Sequence, residues 1–166
     1  MLNLTEHFKL SEFTYSPVAI ENGLPEMKPT NKQVECLIRV ATVLEALRAR
    51  MSRPLHITSG FRTKELNDLI KGSPYSYHMR GCAADFVIRS ENNPDLVDRR
   101  AMFAAFEYLR SYYVDSIRSV FIYINPGVNS TWIHLDVPDD VSETKAPLTA
   151  GYYVDGSFVP QININY

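Results

Sequence analysis

Apolar positions fall into short blocks whose period switches between that of a helix and that of a strand. Val34, Leu37, Ile38, Ala41, Leu44 and Leu47 recur at helical spacing with charged residues between them. Thr30 stands ahead of this run as an N-cap, so the pattern predicts a long helix from residue 31. "LHIT", Leu55 to Thr58, reads as a short strand ended by the Ser59-Gly60 turn, and "TKELNDLIK" as a brief helix stopped by Gly72. A strand is predicted over about residues 83–88. Asn93 before Pro94 has the form of a cap followed by a proline at the first helical position, which predicts a second long helix with the stripe Met102, Phe103, Phe106, Leu109, Tyr113. "SVFIYI" reads as a buried strand by its continuous apolar run, "TWIHLDV" as another by its composition, and "YYVDGSFVP" as a hairpin turning at Asp155-Gly156.

Two long helices and several strands without a regular βαβ rhythm define an α+β class with a mostly antiparallel sheet. The 166 residues suffice for one domain with a real core and are too few for two ordinary ones. The expected layout is an irregular lead-in over 1–30, a core over 31–137, and a hairpin extension over 138–166. "SPVAIENGLPEMKPT", with three prolines and a glycine, supplies most of the lead-in.

Charge narrows the function classes. A formal net charge of −2, with Lys and Arg scattered rather than clustered, argues against nucleic acid and against an anionic membrane surface as partners. No segment has membrane-spanning length, and "MLNLTEHFKLSEF" is interrupted by charge too often to be a secretory signal. A monomer made in the cytoplasm is expected, which would need release to act on an extracellular substrate. Cys36 and Cys82 are too few for a disulfide framework and are expected as buried, reduced thiols.

The densest chemistry lies in "SYHMRGCAAD", Ser76 to Asp85, which runs into the apolar "FVI". A polar group entering a buried strand is costly unless it is hydrogen-bonded or bound to an ion. Of the four histidines, His7 and His56 take structural readings. In "WIHLD" a period of two places Trp132, His134 and Asp136 on one strand face. Two imidazoles and a carboxylate commonly hold zinc with a fourth position open, and His78, Asp85 and His134 would supply them. Spacing alone leaves a plain His78–Asp85 hydrogen bond as the alternative.

"ITSGFRTKELNDLIKGSPYSYHMRGCAADF" resembles the central signature of the D-alanyl-D-alanine carboxypeptidase-like zinc peptidases: an SG-aromatic-R turn, LN, a GS turn, Ser-x-His, a glycine three residues after that histidine, and small residues leading to aspartate. "WIHLDV" resembles the strand that carries the family's last ligand, and "LTEHFKLSEFTYS" is similar to the N-terminal segment of its phage- and Bacteroides-like branch. The resemblance implies a hedgehog-type α+β fold with His78, Asp85 and His134 on zinc. It also implies peptidoglycan stem peptides as substrate, cleaved by a carboxypeptidase or by an endopeptidase of the endolysin kind.

By the same resemblance Arg62 gains a catalytic or carboxylate-binding role, as oxyanion stabiliser or bidentate partner. Ser76 and Trp132 are expected to contact substrate. Many family members carry an acidic general base three residues before the last histidine. Here that residue is Thr131, which cannot transfer protons at neutral pH. Asp136 is left either to replace the base or to orient His134. The runner-up is a catalytically silent module that keeps zinc and only binds cell-wall peptide.

Overall fold

A computed structural model describes residues 2–126, 130–140 and 148–159. Its strands are β1 (His56–Ser59), β2 (Ala83–Val87), β3 (Ser119–Asn125), β4 (Ser130–Asp136), β5 (Thr149–Val154) and β6 (Ser157–Val159). They form one sheet in the order β1-β2-β4-β3-β5-β6. Neighbours are antiparallel except β3 and β5, which are parallel. Asp155 and Gly156, both at positive φ (47° and 79°), make the turn between β5 and β6, as a tight two-residue hairpin requires.

The two long helices are α3 (Asn31–Met51) and α5 (Arg99–Tyr112); short helices are α1 (Leu10–Phe13), α2 (Pro17–Glu21) and α4 (Lys64–Leu69). Thr30 caps α3 through the Gln33 amide, and the Gln33 side chain returns a bond to the Thr30 amide. Leu37, Leu44 and Leu47 of α3 and Met102, Phe106 and Leu109 of α5 are fully buried. They share the core with Val120, Ile122, Ile133 and Leu135 on one face of the sheet. Tyr152 of β5 packs against Phe106, which sets α5 on this face. The fold is therefore α+β with a mostly antiparallel sheet, as the periodicities imply. No helix among the described residues is long and apolar enough to cross a membrane.

Three local expectations are corrected. The second long helix begins at Arg99, not near Pro94. Asn93 and Pro94 form a turn, with the Asp95 amide on Asn93 Oδ1 and the Leu96 amide on the Asn93 carbonyl, and Asp98 is the cap, accepting from Ala101 at 3.0 Å. The lead-in is not wholly irregular. Ser16 caps α2 with Pro17 at its first position, a signal readable in "SP".

The third correction is chemical. Cys36, on α3, and Cys82, just before β2, are joined in a disulfide across 46 positions, with Cα atoms 5.0 Å apart. Their proximity is tertiary: the apolar face of α3 lies against the turn that enters β2. A loop of this length implies about 4 kcal/mol from restriction of the unfolded chain. The double variant Cys36→Ala/Cys82→Ala, or the reduced protein, should lose about 2–4 kcal/mol in urea unfolding. An unchanged midpoint would show that the bond contributes nothing.

Candidate metal centre

Backbone placement comes first. Ser76 precedes a single 3-10 turn, Tyr77–Arg80, which carries His78 and ends at Gly81 with φ 72°, a left-handed conformation suited to glycine. The Arg62 amide donates to the His78 carbonyl at 3.1 Å, and the Phe61 amide to the Phe13 carbonyl at 2.7 Å. The lead-in helix α1 thus braces the "SGFR" turn, which in turn braces the histidine. Asp85 sits on β2 directly opposite His134 on β4, and Ala83 opposite Asp136.

These placements bring three acceptor atoms to one point. His78 Nε2 lies 3.3 Å from Asp85 Oδ1 and 3.3 Å from His134 Nδ1, and Asp85 Oδ1 lies 2.8 Å from His134 Nδ1. Donors at about 2.0–2.1 Å from a tetrahedral ion are about 3.3 Å from one another, so the spacing suits a small cation. Hydrogen bonds on the far side of each ring fix the tautomers. His78 Nδ1 is 2.6 Å from the Gly60 carbonyl oxygen, which can only accept, so Nδ1 carries the proton and Nε2 the lone pair. His134 Nε2 is 3.2 Å from Asp136 Oδ2, which leaves the Nδ1 lone pair toward Asp85.

Electrostatics agree with cation binding. Burial opposes ionisation of Asp85, yet His78 and His134 hold its carboxyl well below the usual carboxylate range. Burial alone would lower the His134 pKa, but hydrogen bonds to Asp136 and Asp85 push it up to about 9 in the metal-free protein.

Arg62 is held in the same cluster, with Nη2 2.9 Å from Asp85 Oδ2 and Nε 3.0 Å from Ser59 Oγ. All seven residues singled out in the sequence (Arg62, Ser76, His78, Asp85, Trp132, His134 and Asp136) line one cleft of about 630 Å³. His7 instead pairs with Glu45 of α3 at 2.6 Å, and His56 lies on β1 outside the cleft. A second cluster, Cys36, Cys82 and Asp139, has its sulfurs committed to each other.

Asp136 lies across the imidazole from the other donors. Its Oδ2 accepts from Arg118 Nη2 at 2.7 Å and Ser119 Oγ at 2.7 Å besides His134. Its Oδ1 is buried without a hydrogen-bond partner among the described residues. The residue as a whole is 2% exposed. Thr131 points the other way altogether. Three residues before His134 on a continuous strand is an odd number of steps, so Thr131 faces the core and is 1% exposed.

Sequence reading missed Arg118, Ser119, Tyr77 and Tyr123. Arg118 stacks on the Tyr77 ring at 3.9 Å while bonding Asp136. Ser119, Phe121 and Tyr123 alternate on the cleft side of β3. A period-two reading of "SVFIYI" would have found them, but their aromatic side chains made the run look buried throughout.

A family model described as Peptidase M15 matches residues 6–118, more than half of the chain, and the chain belongs to that peptidase family. A search of curated proteins finds no match. The matched span includes Arg62, His78 and Asp85 but stops short of β3 and β4, so the place of His134 rests on the sheet register.

Thr131 yields a prediction of its own, because its Oγ1 is buried with no partner among the described residues. Thr131→Val should leave stability unchanged or raise it by about 1 kcal/mol, since it removes an unpaired hydroxyl at constant shape. Thr131→Glu should destabilise by about 3 kcal/mol or more and add no activity, because the carboxylate would enter the core. A stable, more active Thr131→Glu protein would refute this placement.

Proposed function

We propose that the protein is a zinc-dependent peptidase that hydrolyses peptide or D-amino-acid bonds in peptidoglycan stem peptides, with His78, Asp85 and His134 as the metal ligands. The observation that carries this reading is the convergence of three acceptor atoms whose tautomers are fixed from behind. Zinc held there would have an open fourth position and would supply Lewis acidity and a lowered pKa for water. The donor set fits zinc, being nitrogen and oxygen in a small, closely spaced group.

The remaining roles belong to the chain itself. Gly60 and Asp136 orient the two imidazoles, and Arg62 fixes Asp85 through its second oxygen. Burial draws the Arg62 pKa down and Asp85 draws it back up, and the guanidinium stays charged. A rigid cation beside the ligands can stabilise negative charge developing on a substrate carbonyl or pair with a peptide carboxylate. Ser76 and Trp132 form walls of the same cleft.

Asp136 acts here as the orienting carboxylate, not as the base. Among the described residues of the cleft the only carboxylates are Asp85 and Asp136, and both are engaged. That absence of a free base favours a second reading, a silent module that binds cell-wall peptide without cutting it. Release of new amino groups from purified peptidoglycan by the zinc-loaded protein supports the peptidase; binding without release selects the module.

Two expectations follow for the ligands. The purified protein should carry about one zinc per chain, and His78→Ala should lose most of it by elemental analysis while remaining folded; full zinc content in that variant would remove His78 from the site. Asp136→Asn should weaken zinc binding by about ten- to a hundred-fold in a chelator competition. Normal zinc affinity joined to lost turnover would instead restore Asp136 as the base.

A further inference from the structure

The sheet face that carries His134 continues past the cleft as a row of aromatic rings. Trp132 of β4 stacks on Tyr123 of β3 at 4.8 Å with planes 2° apart, and Tyr123 stacks on Tyr153 of β5 at 4.8 Å and 7°. Phe158 of β6 closes the row edge-on to Tyr153 at 5.5 Å. Its ring lies over Gly151, where any side chain would collide with it. Register explains the row: Tyr123 pairs with both Trp132 and Tyr153, and Tyr153 with Phe158.

Cross-strand aromatic pairs alone stabilise a sheet. This row has further properties. It lies on the face opposite the one that α5 covers, since Tyr152 packs on Phe106 while Tyr153 points away. Phe158 is 52% exposed. Tyr123 and Trp132 also line the cleft, so row and cleft are one surface. Apart from Asp85, His134 and Asp136, which belong to the metal-binding end, the described positions on this face of β3, β4 and β5 bear no charge: Phe121, Tyr123, Asn125, Ser130, Trp132 and Tyr153 are apolar bodies or neutral donors and acceptors. Charge is gathered at the other end, around Arg62, Lys71 and Arg118.

We propose that the row is a binding subsite for the neutral N-acetylated sugar chain of peptidoglycan, and that the protein takes its stem peptide while it is still attached to glycan. The proposal rests on the peptidoglycan reading above. Its basis is the match of charge and shape: anionic peptide at the cationic, metal-binding end, and uncharged, CH-rich rings with hydroxyl and amide groups along the aromatic end. Three inter-strand steps give the row a length of about 14 Å, room for a disaccharide. Burial, with Tyr153, Asp85 and Asp136 nearby, raises the Tyr123 pKa to about 12, so its hydroxyl remains a neutral hydrogen-bonding group.

Trp132 is the sole tryptophan of the chain, so its fluorescence reports on this subsite directly. Titration of the zinc-loaded protein with a tetramer of N-acetylglucosamine, which has no peptide, should give a saturable emission change. Phe158→Ala and, separately, Tyr153→Leu should weaken it about tenfold; two variants guard against one failing to fold. A disaccharide-linked stem peptide should be cleaved with about tenfold higher kcat/KM than the free peptide, and the ratio should fall toward one in Phe158→Ala. No fluorescence change, with equal rates on both substrates, would overturn the subsite and leave the peptidase reading intact. If neither peptide is cleaved, the peptidase reading fails and the titration still decides the subsite. Protein that dimerises with Trp132 shielded and does not respond to the sugar would also overturn it, as an interface between copies.

Discussion

Three electron-pair acceptors within 3.3 Å of one another are mutually repulsive unless something positive lies between them. That constraint at His78, Asp85 and His134 organises the rest of the protein. Asp85 and His134 meet because β2 and β4 pair in a register that sets them opposite each other, and His78 reaches them from a turn held by the Gly60 carbonyl and the Arg62 amide. The polar groups around the cluster are arranged in a chain: Ser59 to Arg62 to Asp85 on one side, Asp136 with Ser119 and Arg118 to His134 on the other. Each link fixes an angle that the acceptor atoms need in order to converge.

Elements remote from the cleft serve the same end. The Phe13 carbonyl of α1 accepts from the Phe61 amide, so the lead-in supports the turn beside His78 rather than being a passive leader. The Cys36–Cys82 disulfide ties α3 to the residue that follows Gly81, and Gln33 of α3 donates to the Met79 carbonyl within the His78 turn. The histidine turn is thus anchored to α3 by a covalent bond and a hydrogen bond. Rigid support of this kind fixes the relative positions of the three acceptor atoms.

Much of this was legible in the sequence where a local rule acts alone. Thr30 as a cap, the apolar stripe of α3, the Asp155-Gly156 hairpin and the shared strand face of Trp132, His134 and Asp136 all depend on neighbours a few residues apart. The ligand trio was proposed from spacing and family resemblance, and its convergence depends on strand register, which no local rule states. The errors have the same origin. Asn93-Pro94 satisfied the pattern of a helix start, but the chain turns there and Asp98 caps instead, where it also meets Arg53. The cysteines looked unrelated because their contact joins a helix face to a distant turn. "SVFIYI" looked wholly buried because aromatic side chains on an open face count as apolar in any hydropathy reading. Thr131 appeared as a missing base, whereas the continuous strand β4 turns this residue to the core.

The proposed centre is one zinc ion held by His78 Nε2, Asp85 Oδ1 and His134 Nδ1. Diffraction data from crystals of the zinc-loaded protein, collected at the zinc absorption edge, test it most directly. A single anomalous peak is expected about 2.0–2.1 Å from each of those three atoms, with His134 Nε2 still facing Asp136. A peak beside Cys36, Cys82 and Asp139, coordination through His134 Nε2, or no peak at the cleft would contradict it.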